Sequence, residues 1–161
     1  MRPVRRFLLA LFGASFLAPA AAGNFFPQEY KSFPFKEGDL LASRDSKTGK
    51  YAVNQVLKVD RIEIAKGETI SFQGQRFVAT EDDFLLVIGC SYGEREFDSI
   101  EAARAAAQAG RWTVKIAHVP NRAPGSAAGQ TLIGHRAVRE QDLEGYRVWR
   151  AAYDKGEAGI F

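Results

Sequence analysis

The sequence predicts one α+β domain behind a short leader: a bent or barrel-like, mainly antiparallel sheet with two helices in the C-terminal half. Three observations lead there. Residues 39–89 carry strand-type patterning broken by polar and glycine turns. Helical spacing with explicit start and stop residues is confined to two later stretches, 98–110 and 142–154. Cleavage after Ala22 would leave 139 of the 161 residues, an ordinary length for a single core.

The leader comes first in the chain. Arg2, Arg5 and Arg6 precede a mainly apolar run over residues 7–17, and small residues fill 18–22, the order of a secretory signal peptide. As a helix that run rises about 16 Å, against a hydrocarbon core of roughly 30 Å, so cleavage is expected and stable membrane insertion is not. Ala20 and Ala22 supply the small residues of the cleavage site. The Arg5-Arg6 pair is a faint twin-arginine signal, but the strong apolar run favours general secretion. With no Asn-x-Ser/Thr acceptor in the chain, a bacterial periplasm or exterior is the expected destination.

Residues 1–22 hold three arginines and no acid, so 19 basic and 19 acidic residues remain after them. The expected domain, residues 23–161, is formally neutral. It lacks the positive field of a nucleic-acid binder. Acids at 81–83 and arginines at 122, 136, 139, 147 and 150 would either present opposite faces or simply solvate the surface.

Residues 23–38 form an aromatic arm, with Phe25, Phe26, Tyr30, Phe33 and Phe35 interleaved with Pro27 and Pro34. The prolines prevent regular ladder bonding, so the arm is expected to run extended. Its rings either dock on the domain or form a recognition surface. A strand over 39–43, a polar turn over 44–50 and a β-rich run over 51–59 read as a hairpin. Ile62 and Ile64, then Ile70 and Phe72, then Phe77 and Val78 mark further short strands separated by glycine turns. The uninterrupted apolar run over 84–88 predicts a central strand covered on both faces, ending near Cys90.

Asp98 is the expected cap of the first helix, Glu101 reaches back three residues later, and Gly110 closes it. A strand over 112–119 follows, pairing either parallel through a crossover or antiparallel. Residues 120–130, with two prolines and two glycines, read as a long loop, either the rim of a binding site or a surface excursion. A short strand over 131–133 leads to the second helix, whose Leu143, Tyr146, Trp149 and Tyr153 recur at core spacing before Gly156.

No motif in the chain identifies a reaction or a ligand. Cys90 is the sole cysteine, so no internal disulfide forms, and its apolar neighbours predict a buried thiol. Cys90 followed by His118 and His135 is the residue order of some envelope cysteine peptidases, without their local signature. Alternation from Trp112 places His118 inward with Val114 and Ile116, as a core histidine. One cysteine and two separated histidines do not make a zinc tetrad, and no metal site is expected. Glu94, Glu96, Asp98 and Glu101 suit the positive end of the first helix better than a calcium loop. Gly89 and Gly93 do not reproduce a nucleotide fingerprint, so no cofactor is expected.

These readings predict an exported, non-enzymatic binding protein of the inhibitor or immunity kind, whose partner is another protein of the cell envelope. The expected recognition surface combines Phe25 and Phe26 with Asn121, Arg122 and Arg136. The alternatives are a Cys/His-dependent envelope hydrolase, using Cys90, His118 and His135, and a structural envelope component.

Overall fold

The computed structural model describes residues 26–72 and 75–161; the leader expected over 1–22, and Phe25 in the arm, lie outside the described residues. The described strands are β1 (Asp39–Arg44), β2 (Tyr51–Ile64), β3 (Thr69–Phe72), β4 (Gln75–Val78), β5 (Asp83–Phe97), β6 (Val114–Arg122) and β7 (Gln130–His135). The helices are α1 (Ile100–Gln108), α2 (Ala123–Ala127) and α3 (Glu144–Tyr153). Five strands form one sheet in the order β6-β5-β2-β1-β7, and β3 pairs with β4 as a separate hairpin. Every pairing is antiparallel, so the fold is α+β. Among the described residues, no helix is long and apolar enough to cross a membrane.

The β1–β2 hairpin closes as its sequence dictates. The Asp45 carboxylate accepts the amides of Lys47 and Thr48 at 2.8 and 2.7 Å, and Gly49 takes a φ of 73°, which L side chains disfavour. The two runs read as separate strands over 51–59 and 62–64 are one continuous β2. Register shifts between Ala52 and Asn54 and between Val56 and Lys58 keep it paired with β5 while bending it. β5 is likewise longer than expected. It passes Cys90 and continues to Phe97, so Glu94 and Glu96 sit on a strand and not at a helix start.

Strand alternation gives the sheet two buried faces. On one, Leu40, Ala42 and Val53 pack under Ala103 and Ala107 of α1, while Ile62, Leu85 and Val87 pack with Trp149 of α3. On the other, Leu41, Val56, Ile88 and Cys90 pack with Ala123 of α2 and with Phe33 and Phe35 of the arm. β5 is thus covered on both faces, as its apolar run predicts.

α1 starts one residue later than its expected cap. Ser99 accepts the Ala102 amide at 3.1 Å, whereas the Asp98 carboxylate is exposed and lies 3.8 Å from Lys50. Gly110, at φ 63°, closes the helix: its amide reaches the Ala107 carbonyl and that of Arg111 reaches Ala106, the paired bonds of a Schellman ending. β6 then returns antiparallel to β5. The stretch read as a long loop over 120–130 is instead the end of β6, the helix α2 and the start of β7. Pro124 fits the first turn of a helix, and burial of Ala123 and Ser126 fixes α2 against the sheet.

The arm docks on both faces. Phe26 is 3% exposed within the cluster beneath α3, while Phe33 and Phe35 reach the opposite cluster. Lys31 and Asp83 fasten it through an ion pair of 2.6 Å whose side chains are 4% and 1% exposed. Asp83 also accepts the amides of Phe26 and Phe84, at 3.2 and 2.7 Å. Burial on its own would raise the Asp83 pKa, yet Lys31 and the two amides outweigh burial and hold it below the usual value.

Candidate functional site

α1 and α3 cover parts of the same sheet face, and a cleft opens over that face beside the start of α3. Its volume is about 440 Å³, within the range of small-ligand sites. Gln55 and Leu57 of β2 and Ser91 of β5 form the floor, and Val114 and Ala117 of β6 form one side. Arg136, Arg139 and Asp142 stand on the opposite side, where the chain passes from β7 toward α3.

The backbone dictates how Arg136 enters. Its amide bonds the Gly38 carbonyl at 2.8 Å, and its own carbonyl accepts Gln55 Nε2 at 2.7 Å. The guanidinium turns back over the sheet, donates from Nη2 to Gln55 Oε1, and lies 4.8 Å from the Trp112 ring centre. Gln55 is fully buried and pairs directly across the sheet with Ser91, itself 3% exposed. Among the described residues, Ser91 Oγ and Arg136 Nε of the cleft lining are buried without a hydrogen-bond partner, as is Nε1 of Trp112, which packs against the Arg136 guanidinium outside the lining. Burial lowers the Arg136 pKa, an effect that the nearby Asp142 partly offsets. Asp142 itself is engaged by Arg139, whose Nε and Nη2 donate to its two oxygens at 3.0 and 2.8 Å. That bidentate pair holds Asp142 below the usual carboxylate range.

The three residues of the hydrolase reading are not brought together. Cys90 faces the α2 side of the sheet, and burial pushes its thiol up to about 11, far from a ready thiolate. His118 lies on edge strand β6 beneath α3, with its ring centre 6.0 Å from Tyr146 and 5.8 Å from Trp149. Its Nε2 is buried without a partner, and burial lowers its pKa. His135 lies on the opposite edge strand, with Nδ1 3.1 Å from the Asp39 carboxylate. Four strand spacings, roughly 19 Å, separate the edges that carry the two histidines.

The expected recognition residues also separate. Phe26 and Arg122 line a different cavity, of about 470 Å³, beside Tyr153 and the C-terminal tail. Asn121 is turned inward, donating to the Tyr92 hydroxyl at 3.2 Å and to the Val119 carbonyl at 3.0 Å. Of the named residues, only Arg136 belongs to the cleft, and Phe25 lies outside the described residues. Sequence reasoning missed Gln55, Ser91 and Asp142. The signal for the first two is a polar residue within an otherwise apolar strand run, in 53–57 and again in 85–90 and its continuation. Val114 and Ile116, expected inside, are 41% and 46% exposed. Two register shifts in the β5–β6 pairing break the alternation on which that expectation rested.

Among the described residues, no group of three His, Cys, Asp or Glu side chains gathers to hold a metal ion. No family model, curated protein or solved structure matches the chain.

Proposed function

We propose that this chain is an exported, non-enzymatic binding protein of the bacterial envelope. It engages another envelope protein, as an inhibitor or immunity protein does, and its recognition site is the cleft above Gln55 and Ser91. The observation that carries the reading is the set of buried donors left without partners at that cleft. Buried polar groups in folded proteins are almost always paired, and each unpaired one costs about 1–3 kcal/mol. Two such donors lining one opening, Ser91 Oγ and Arg136 Nε, are what a site prepared for an incoming group would contain. Val114 at the cleft, and Ile116 on the same edge strand, add exposed apolar surface for a partner.

The basic, apolar and small-residue leader supplies the export address. The hydrolase reading loses its support because Cys90 and His118 occupy opposite faces and the thiol is held protonated. A purely structural envelope component would have no use for a polar-floored cleft.

Capture tests the proposal. The full chain, tagged at its C-terminus and expressed in its host, should recover one partner in stoichiometric amount from crosslinked envelope extract. Arg136→Gln should lose that partner while remaining folded. Capture that is unchanged by the substitution, or no capture at all, would overturn the reading.

A further inference from the structure

Building on the cleft as recognition site, we infer that the group it receives is a carboxylate. Among the described residues, no carboxylate lies within ion-pair distance of Arg136; its polar partner is the neutral Gln55 amide and it also packs against the Trp112 face. Asp142 is taken up by the bidentate contact with Arg139, and Glu144 is an exposed residue at the start of α3. Asp142 acts on Arg136 without touching it and is bound directly by Arg139, so the Arg136 guanidinium has no carboxylate of its own in the cleft. Burying a charge without a partner is costly, and an anionic ligand removes that cost.

The donor inventory narrows the anion. At the cleft, Arg136 Nε offers one N–H and Ser91 Oγ one O–H. A carboxylate brings two acceptor oxygens and a single charge, matching one guanidinium and one hydroxyl donor. A phosphate dianion would bring a second charge that nothing at the floor neutralises. A neutral amide would meet donors but leave the guanidinium uncompensated. Leu57, Val114 and Ala117 then surround whatever the carboxylate is attached to with apolar atoms, so an aliphatic or aromatic acid fits better than a sugar acid. The same chemistry arises from a free small carboxylic acid or from a partner's acidic side chain or chain terminus.

The test is a titration of the 15N-labelled exported protein, following the Arg136 Nε–H and Trp112 indole N–H resonances. The probes are benzoate, benzamide and the peptide Ac-Gly-Gly-Phe in free-acid and amidated forms. Benzoate should shift both resonances saturably and benzamide should not. The free-acid peptide binding more tightly than benzoate identifies a chain terminus as the source; the reverse identifies a free acid. Arg136→Lys should weaken binding about tenfold or more, because a point ammonium cannot replace the planar donor set. Ser91→Ala should weaken it about three- to tenfold while leaving the melting temperature unchanged or higher, which a merely structural serine would not do. Equal shifts from benzoate and benzamide, or no saturation up to about 50 mM benzoate, would overturn the assignment. Partner capture without benzoate binding removes the carboxylate and leaves the binding-protein reading standing. Benzoate binding without capture supports the carboxylate and removes the protein partner.

Discussion

At the scale of single residues, His118 shows how closely the α3 side is fitted. A Cβ built on Gly145 would fall 2.6 Å from His118 Cβ, and one on Gly89 would fall 2.7 Å from His118 Nε2. The first clash involves an atom fixed to the backbone, so no side-chain rotation relieves it. Gly to Ala inside a helix ordinarily stabilises by about 1 kcal/mol, but overpacking costs about 1–3 kcal/mol. Gly145→Ala should therefore destabilise the protein in urea unfolding. The double variant Gly145→Ala/His118→Gly should recover the helix-propensity gain relative to His118→Gly alone. A stabilised single variant would show that α3 does not press on β6 as described. None of this is legible in the sequence, where Gly145 reads as a weak point in a helix. Strand alternation, broken at Val114 and Ile116, is no guide to His118, and the glycines that make room for it are not legible either.

At the scale of elements, the sequence carried more of the answer where the signal is local. The Asp45 turn, the Gly110 ending and the apolar centre of β5 follow from the residues themselves. Long-range pairing decided what was missed. β2 and β5 run on through residues with weak strand preference because each has the other as partner, and α2 forms in a Pro/Gly-rich stretch because the sheet covers it. The arm is the clearest instance. Its prolines predict an extended path, but only the folded chain brings Lys31 to Asp83. Removing one member of a buried pair costs about 3–5 kcal/mol, so Lys31→Met should lose that much at pH 7. The pH dependence has a definite sign. Asp83 has a depressed pKa when folded, so its contribution is complete above the ordinary aspartate value of about 3.9 and disappears as pH falls through the folded value. The gap between Lys31→Met and the unsubstituted protein, measured by urea unfolding at pH 7 and again at pH 3, should therefore narrow in acid. Equal stability at pH 7 would mean that the arm is not held by this pair.

At the scale of the whole molecule, the two helices that cover one sheet face are anchored at different places on it, and the cleft opens beside the start of α3. α1 packs over β1, β2 and β7, whereas Tyr146 and Arg150 tie α3 to Asp60 of β2 at 2.9 and 3.1 Å, near the other end of the sheet. The buried polar residues Gln55 and Ser91, paired across neighbouring strands, form the floor of that cleft. The fold class was legible because turn signals and periodicity report it directly. The site was not, because its members come from β2, β5, β6 and the segment after β7, and of these only Arg136 was among the expected recognition residues. The central claim is that a partner meets this face, and site-specific photocrosslinking in the living host addresses it most directly. A photoreactive residue at position 114, beside the cleft, is compared with one at position 66, roughly 30 Å away along β2 past its end. The account predicts a discrete adduct from position 114, lost on Arg136→Lys, and none from position 66. Adducts from position 66 alone, or from neither position, would contradict it.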